Sequence, residues 1–450
     1  MLIPDPSLVV LVGPSGSGKS TFARRHFKPT EILSSDAFRA MVSDDETDQT
    51  ATAAAFELLH HAAAKRLQHG RLTVIDATNV KTDARRQCLD VARRYHLPAV
   101  AVVFQLDEAT CLEQNLSRPD RQVPAEAIKR HLASLDHLIK QIHHEGFRDI
   151  HVFHTAAEAH AAVIERQRAY SWKRHEAGPF DVIGDVHGCL PELLELLAKL
   201  GYGLQRVPES DGGTVWDLTP PDGRRVVFVG DLVDRGPDTP GVLRLVRRAM
   251  ADGKAFCVRG NHDDKLHRKL AGRDVNISSG LAESLDQISR EPAGFADEMR
   301  AFLETLPLHL VFDGGRFVVA HAGLKCDLHG RDSDRVRAFC LFGDTTGEYD
   351  QYGLPVRLNW AADYHGPAHV VYGHVPTYQP QWLNKTLCID TGCVFGGWLT
   401  AVRYPEMETV SVRAHGKFAE SKRPFIPLEK ALSAAVSTAA GNLPGVEGFH

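Results

Sequence analysis

Residues 8–21 read LVVLVGPSGSGKST, an apolar run from Leu8 to Val12 that leads directly into a glycine-rich segment from Gly13 to Thr21. The segment matches the phosphate-binding pattern G-x-x-x-x-G-K-[ST]. In such a loop backbone N–H groups close around phosphate oxygens at the positive end of the helix that follows. The order of buried strand, glycine loop and helix start predicts an α/β domain that binds a nucleoside triphosphate.

Eight residues of the loop are candidates for nucleotide binding: Gly13, Ser15, Gly16, Ser17, Gly18, Lys19, Ser20 and Thr21. Lys19 supplies a cation for the β and γ phosphates, and the Ser20 hydroxyl is suited to Mg²⁺. The pattern leaves the acceptor open, because switches, pumps and kinases share it.

The surrounding sequence alternates short apolar runs with helical patterns as far as about residue 165. The runs cover residues 8–12, 31–34, 72–76, 99–106 and 149–154. This alternation predicts a parallel sheet with crossover helices, whose ligand lies at the carboxyl ends of the strands.

Several polar residues follow these predicted strands. Asp36 is a candidate general base for an attacking hydroxyl, and Arg39, one helical turn later, is a candidate to hold an acceptor phosphate; a helix N-cap and a solvated arginine are the alternative. Asp76 is a candidate to bind Mg²⁺, with a role in a turn as the alternative. Arg118 and Arg121, between two helical segments, suit a lid over the transferring phosphoryl group or a solvated turn.

The pieces VGPSGSGKST, LSSDAFRAMVSDDETDQT, VIDATNV and SRPDRQV together resemble the kinase domain of the bacterial polynucleotide kinase-phosphatases, which repair RNA ends. The resemblance implies that Lys19 and Ser20 bind ATP and Mg²⁺. It also implies that Asp36 is the base for a 5′-hydroxyl, that Arg39 contacts the acceptor strand, and that Arg118 and Arg121 belong to the lid.

A second cluster of polar motifs begins after the basic, Gly-Pro-ended segment RQRAYSWKRHEAGP. Each motif follows an apolar run; in order they are GDVHG (184–188), GDLVDRG (230–236), GNHD (260–263), HAG (321–323) and GH (373–374). Carboxylate, amide and imidazole groups at successive strand ends converge on one point, as two bound divalent cations require.

These motifs resemble the binuclear metallophosphoesterases. The resemblance assigns Asp185 and His187 to one metal, Asp231 to both, and a further three residues to the other metal: Asn261, His321 and His374. A ligand set without thiolates favours Mn²⁺, with Ni²⁺, Fe²⁺ or Zn²⁺ as alternatives.

The residues around the ligands suggest further roles. His262 is free to protonate the leaving group with Asp234 holding its ring, and Arg235 and Arg259 are candidates to bind phosphate. Asp390, at another strand end, is a candidate to orient a metal-bound histidine or contact substrate. The same motifs resemble protein serine/threonine phosphatases and dinucleoside tetraphosphatases, which stay open as alternatives.

The predicted organisation is α/β throughout. We expect a P-loop kinase domain over residues 1–167, a linker over 168–179, a calcineurin-like metallophosphoesterase sandwich over 180–424 and a tail over 425–450. The chain contains no K-x-D-G motif. We therefore expect the C-terminal ligase-like adenylyltransferase domain of many family members to be missing.

Composition and charge restrict the partners and the cellular location that we expect. The formal net charge of -5 argues against a chain that coats nucleic acid by bulk attraction. No apolar run approaches the ~20 residues of a membrane span, and the N-terminus has no signal-peptide pattern, so we expect no membrane partner and a cytoplasmic location. The eight cysteines are dispersed, and we expect them reduced and mostly buried.

The combined expectation is a bifunctional enzyme that heals nucleic-acid ends. One domain phosphorylates 5′-OH ends of RNA, or of DNA, from ATP; the other removes 3′- or 2′-phosphates and opens 2′,3′-cyclic phosphates. The resemblance implies a ligase and an RNA 3′-end methyltransferase as partners in the same repair pathway. The alternatives are a P-loop kinase fused to a protein serine/threonine phosphatase or dinucleoside tetraphosphatase, and an ATP-gated RNA-binding sensor with vestigial catalysis.

Overall fold

The computed structural model describes residues 1–117, 123–168, 171–209, 213–221 and 223–422. It forms two compact units, one comprising Met1–Ala169 with Arg331–Asp334 and the other Tyr170–Gly330 with Arg335–His450. Within the described ranges no helix has both the length and the apolar character needed to cross a membrane.

The first unit has a five-stranded parallel sheet in the order β3-β4-β2-β5-β6, with helices between its strands. The strands of the unit are β1 (Leu2–Asp5), β2 (Leu8–Val12), β3 (Ile32–Ser34), β4 (Thr73–Asp76), β5 (Ala99–Phe104), β6 (Asp149–Phe153) and β7 (Glu165–Arg168). Its helices are α1 (Lys19–His26), α2 (Ser35–Ser43), α3 (Thr52–Gln68), α4 (Thr82–Arg94), α5 (Glu108–Leu116), α6 (Ala125–Ile139) and α7 (Ala156–Ala161).

The central strand β2 is buried on both faces. Leu8, Val10 and Val12 pack into the core on one side of the sheet, and Val9 and Leu11 into the core on the other. A parallel strand covered by helices on both faces needs a continuous apolar run, and this is why LVVLV does not alternate with polar residues. The run aims its carboxyl end at the glycine loop.

The second unit is a sandwich of two sheets, in the orders β13-β12-β9-β21-β22 and β19-β20-β18-β15-β14-β8. Its strands are β8 (Trp172–Lys173), β9 (Phe180–Ile183), β10 (Gly203–Pro208), β11 (Thr214–Thr219), β12 (Arg225–Phe228), β13 (Ala255–Cys257), β14 (His309–Phe312), β15 (Phe317–Ala320), β16 (Thr345–Tyr349), β17 (Pro355–Arg357), β18 (His369–Tyr372), β19 (Gln381–Leu383), β20 (Thr386–Cys388), β21 (Trp398–Tyr404) and β22 (Glu408–Arg413). Its helices are α8 (Leu190–Leu200), α9 (Thr239–Ala251), α10 (Asn261–Leu270), α11 (Leu281–Ser289), α12 (Phe295–Thr305) and α13 (Asp334–Phe342).

One core lies between the two sheets. Phe180 and Val227 from the first sheet pack with Phe317, Val319 and Val371 from the second. A separate core, which includes Leu193 and Val246, joins the outer face of the first sheet to helices α8 and α9. The expected fold class, a P-loop α/β domain followed by a metallophosphoesterase sandwich, is confirmed.

The segment assigned to a linker from its composition contains a short strand. Trp172 and Lys173 pair in parallel with Val311 and Phe312 of β14, at the edge of the six-stranded sheet. Two residues are too few to show an apolar pattern, so the sequence gives no sign of this pairing. The predicted tail from residue 425 onward lies outside the described residues.

Candidate active sites

The glycine loop closes tightly between β2 and α1. Gly16 and Gly18 have φ angles of 80° and 82°, and Gly18 is the N-cap of α1. A Cβ on Gly16 would lie 2.1 Å from the carbonyl oxygen of Cys111, so only glycine fits there. The loop therefore leads its backbone N–H groups into the start of α1, where a phosphate would bind.

Two side chains of the loop are bound internally. The Lys19 ammonium donates to the carbonyl oxygens of Gly13 and Pro14 at 2.8 and 2.6 Å, and the Ser17 hydroxyl donates to Pro14 at 2.9 Å. The Ser20 hydroxyl bonds the Asp76 carboxylate, and burial raises the pKa of Asp76. Ser20 and Asp76 thus form the hydroxyl and carboxylate pair that suits Mg²⁺ beside the loop.

A cavity of about 730 Å³ opens beside the loop, and its walls include Ser15, Lys19 and Ser20. Asp36 and Arg39 also line it and form an ion pair with each other across one turn of α2. The Arg39 side chain is buried and also donates from Nε to the carbonyl oxygen of Glu46 at 2.9 Å. The structure therefore brings the predicted base to the same cavity as Lys19, the lysine predicted to bind phosphate.

One other predicted residue of the loop, Thr21, does not line this cavity. Thr21 lines a second cavity of about 430 Å³ on the other side of the loop, together with Gly16, Ser17 and Gly18. Arg118 and Arg121, the predicted lid arginines, lie outside the described residues.

In the second unit, the carboxylate of Asp231 lies between two histidines. Its Oδ2 atom is 3.6 Å from Nε2 of His187 and 3.4 Å from Nε2 of His321. His187 donates from Nδ1 to the carbonyl oxygen of Val233 at 2.7 Å, and His321 from Nδ1 to that of Val229 at 3.1 Å. These bonds fix the tautomers so that both Nε2 lone pairs face Asp231.

Two further predicted ligands reach the same side as His321. The Nε2 atom of His321 is 3.0 Å from Nδ1 of His374 and 3.0 Å from Oδ1 of Asn261. Asp231, His321 and His374 can offer one atom each to a single ion, and so can Asp231, His187 and His262. A carboxylate shared by two such groups is what a pair of neighbouring metals needs.

Asp185 and Asp390 lie next to each other beside these groups. Their carboxyl groups are hydrogen-bonded together, and Asp185 also accepts from the backbone N–H of His374 at 3.1 Å. A Cβ on Gly373 would lie 1.9 Å from Oδ1 of Asp185, which accounts for the glycine before His374. Asp390 therefore contacts a predicted metal ligand, but that ligand is an aspartate and not a histidine.

His262 is held by Asp234, as expected. Nδ1 of His262 lies 2.6 Å from Oδ2 of Asp234, and the Ser284 hydroxyl donates to Oδ1 of Asp234 at 2.7 Å. The Arg235 guanidinium donates to Nε2 of both His262 and His187, at 2.9 and 2.7 Å. Ser284 has no part in the sequence motifs, and only the fold brings it here.

Arg357 was not among the residues that the motifs indicated. Its guanidinium donates to Nε2 of His374 at 2.9 Å. The expectation that Arg259 binds phosphate is not supported, because its guanidinium is buried and donates to the carbonyl oxygens of Leu303 and Glu304 at 2.6 and 2.8 Å. Arg259 is anchored to the end of α12 and does not point into the site.

The buried carboxyl groups give the site its electrostatic character. Burial raises the pKa of Asp231 to about 7 and of Asp390 to about 6, and raises that of Asp185 well above its usual range. Burial lowers the pKa of His187 and His374 well below the usual range. The imidazoles are therefore neutral, and the buried carboxylates are stabilised by a nearby positive charge. Such a set of donor groups fits divalent cations.

Five residues of this site have left-handed backbone conformations that residues other than glycine seldom adopt. The φ angles are 46°, 50°, 74°, 73° and 71° for His187, Asp231, Asp234, Arg235 and His374. Such conformations cost about 1–3 kcal/mol each and cluster at functional sites. Tight turns directly after the strands are what bring these side chains to one point.

Two dispersed cysteines meet beside the site. The Cys393 thiol is hydrogen-bonded to that of Cys189, and Glu192 lies close enough that all three could offer an atom to one ion. All three residues are buried. Sequence spacing gave no sign of this contact, since 204 positions separate the two cysteines. Seven of the eight free cysteines are buried, which agrees with the expectation of reduced, mostly buried cysteines.

The sandwich fold and the paired Asp–His groups define a metal-dependent phosphoesterase. Residues 178–396 match the family of calcineurin-like phosphoesterases, and residues 8–138 match an AAA domain family. The chain belongs to the calcineurin-like phosphoesterases, which use divalent metals, and carries a kinase-like P-loop domain before that part.

Curated relatives match a little more than half of the chain. A bis(5′-nucleosyl)-tetraphosphatase PrpE (asymmetrical) of Anoxybacillus flavithermus is 44% identical over 254 residues, which are 55% of this chain and 99% of that protein. The protein of the same name from Bacillus subtilis is 43% identical over 248 residues, 54% of this chain and 98% of that protein.

Proposed function

We propose that the chain is a bifunctional enzyme of nucleic-acid ends, which phosphorylates 5′-hydroxyls from ATP and removes 3′- or 2′-phosphates, including cyclic ones, in RNA repair. The observation that supports this proposal is the presence in one chain of a P-loop cavity and of a cluster suited to divalent metals. One is the cavity that contains Lys19 and Asp36; the other is the cluster around Asp231. One site adds a phosphate and the other removes one, which together yield the 5′-phosphate and 3′-hydroxyl that ligation needs.

In the kinase site the residues divide between donor and acceptor. The loop N–H groups and Lys19 would hold the phosphates of ATP, and Ser20 with Asp76 would hold Mg²⁺. Asp36 accepts the proton of the attacking 5′-hydroxyl. Arg39, which keeps the Asp36 carboxylate in place in the free protein, binds the phosphate backbone of the acceptor strand once the nucleic acid enters.

In the phosphatase site Asp185, His187 and Asp231, with Asn261, His321 and His374, would hold two divalent cations, for which Mn²⁺ is our choice. Such cations acidify water and neutralise phosphoryl oxygens. Arg235 orients the phosphoryl group by its paired N–H donors. His262 gives its proton to the leaving oxygen, and Asp234 holds the imidazole ring toward that oxygen.

The test is end analysis of an RNA with a 5′-hydroxyl and a 2′,3′-cyclic phosphate after incubation with ATP, Mg²⁺ and Mn²⁺. We expect a 5′-phosphate and a free 3′-hydroxyl. Asp36→Ala should abolish transfer of the γ-phosphate and leave p-nitrophenyl phosphate hydrolysis intact, and His187→Ala should do the reverse. Unchanged RNA ends with the wild-type protein, or loss of both activities in either variant, would contradict the proposal.

A second candidate is hydrolysis of dinucleoside tetraphosphates by the phosphatase site. It is favoured by a relative with this name, which is 44% identical to the chain over 99% of the relative's own length. Competition between diadenosine tetraphosphate and 3′-phosphorylated RNA for the Mn²⁺-loaded enzyme separates the two candidates. A kcat/KM at least 100-fold higher for the tetraphosphate would make the second candidate the main one.

A further inference from the structure

A small hairpin of the second unit extends from the phosphatase site. It consists of β16 and β17, in which Thr345 pairs with Arg357 and Tyr349 pairs with Pro355, with a register shift in β16 between the two pairs. At its base the Arg357 guanidinium contacts Nε2 of His374 at 2.9 Å. The hairpin is therefore joined directly to the side chains that surround the predicted metals.

The pairing places Tyr349 on the same face of the hairpin as Arg357. Pro355 and Arg357 are two positions apart in β17, so they point to one face, and a residue directly opposite Pro355 shares that face. Tyr349 is that residue, and 72% of its side chain is exposed. From strand geometry its Cα lies roughly 8 Å from that of Arg357.

The connection that holds Tyr349 is ordered by local hydrogen bonds. Oδ1 of Asp350 accepts from the N–H groups of Tyr352 and Leu354, both at 2.9 Å. At the base Leu358 donates from its N–H to the carbonyl oxygen of Asp344 at 2.8 Å. The tyrosine ring is thus presented from a formed turn and not from a loose loop.

We propose that Tyr349 is a specificity residue that stacks on the nucleobase of the phosphatase substrate while Arg357 binds the phosphate attached to that nucleoside. The two acidic neighbours of Tyr349, Glu348 and Asp350, repel a second phosphate and leave an uncharged base as the group that fits there. A flat aromatic side chain stacks on any base, so this contact selects nucleotides as a class and not one base. The inference rests on the proposed nucleotide substrate of this site.

The test compares Tyr349→Ala with wild type on diadenosine tetraphosphate, on a 3′-phosphorylated dinucleotide and on glycerol phosphate, which has no base. We expect KM to rise about tenfold for the nucleotide that wild type prefers, with kcat within about twofold, and no change for glycerol phosphate. Tyr349→Phe keeps the ring and should restore KM. Tyr352→Ala removes another exposed tyrosine ring, in the turn of the same hairpin, and is the matched control that should not raise KM.

An unchanged KM in Tyr349→Ala, or an equal loss on glycerol phosphate, would overturn the inference and leave the proposed function standing. The equal loss would identify the ring as a support of the hairpin. If wild type hydrolyses glycerol phosphate but neither nucleotide, the proposed function itself fails, and this inference fails with it.

Discussion

Asp234 is fully buried and touches both His262 and Ser284, which makes it the sharpest test of how the leaving group is protonated. We expect Asp234→Asn to lower kcat by about 100-fold for an alkyl phosphate, because the imidazole loses the charge that favours its protonated form. The loss should be smaller for p-nitrophenyl phosphate, whose leaving group needs no proton. The measurement is kcat for both substrates across pH.

Ser284→Ala is the control for this variant. It removes two hydrogen bonds, one from the Ser284 hydroxyl to the Asp234 carboxylate and one from the backbone N–H of Asp234, but leaves the carboxylate opposite His262, so we expect less than about a tenfold loss for either substrate. Equal losses on the two phosphates in Asp234→Asn would show that the aspartate supports the fold and not proton transfer.

Many individual residues could be placed from the sequence because they follow apolar runs within short motifs. Asp231, His187 and His262 were predicted in this way, and the structure brings them together. Arg357 and Ser284 were not predicted, since each comes from a distant element without a motif and meets the site only through tertiary packing. Arg259 shows the converse, a residue inside a motif whose side chain turns away toward α12.

Helix α4 carries the interaction that fixes the loop after β4. The Arg85 side chain, 1% exposed, pairs with Glu145 and donates to the carbonyl oxygens of Asn79 and Val80 at 3.0 and 2.9 Å. Arg85→Ala leaves a carboxylate and two carbonyls without this partner, so we expect the free energy of opening of β2 and β4 to fall by about 3–5 kcal/mol. Native-state hydrogen exchange of the full chain measures it.

The adjacent Arg86 is the matched control, because its ion pair with Asp83 is exposed and is worth about 0–1 kcal/mol. β2 amides that stay protected in Arg85→Ala, or that lose as much protection in Arg86→Ala, would contradict the prediction.

Buried strands were easier to predict from the sequence than short or exposed strands. The apolar run at residues 8–12 located β2 to the residue, and the apolar runs before the GDVHG, HAG and GH motifs indicated β9, β15 and β18, because parallel or fully buried strands carry an unbroken apolar signal. The strand β8 and the hairpin β16–β17 escaped prediction, the first because it has two residues and the second because all its β16 positions are exposed. Exposed strands lack the pattern on which such reasoning depends.

The stability of the protein should depend on pH and metal together. Burial raises the pKa of Asp231 and Asp263 to about 7 and of Asp234 and Asp390 to about 6, whereas an unfolded aspartate titrates at 3.8. The buried histidines of the site, whose pKa is lowered, oppose this effect as long as unfolded histidines bind protons, up to about pH 6.5. Above that pH the folded metal-free chain holds more protons than the unfolded chain, and its free energy of unfolding falls as pH rises to about 8.

We expect the Tm of EDTA-treated protein to fall by about 4–8 °C between pH 6.5 and pH 8, the effect of roughly 2 kcal/mol on a domain of this size. Mn²⁺ competes with the same protons, so it should raise the Tm more at pH 8 than at pH 5. Tryptophan-detected melting with EDTA or Mn²⁺ checks both. A Mn²⁺ effect of equal size at the two pH values would count against ionised carboxyls as the ligands.

The strained backbone of the phosphatase site lowers the stability of the chain at the positions that its proposed function needs. These positions are His187, Asp231, Asp234, Arg235 and His374. Glycine adopts those φ angles without strain, so replacement by glycine would relax the backbone and destroy the catalyst in one change. A library of variants selected for heat tolerance alone would drift toward inactive proteins at these five positions. Engineering of a hardier enzyme must therefore hold them fixed and seek its gains elsewhere.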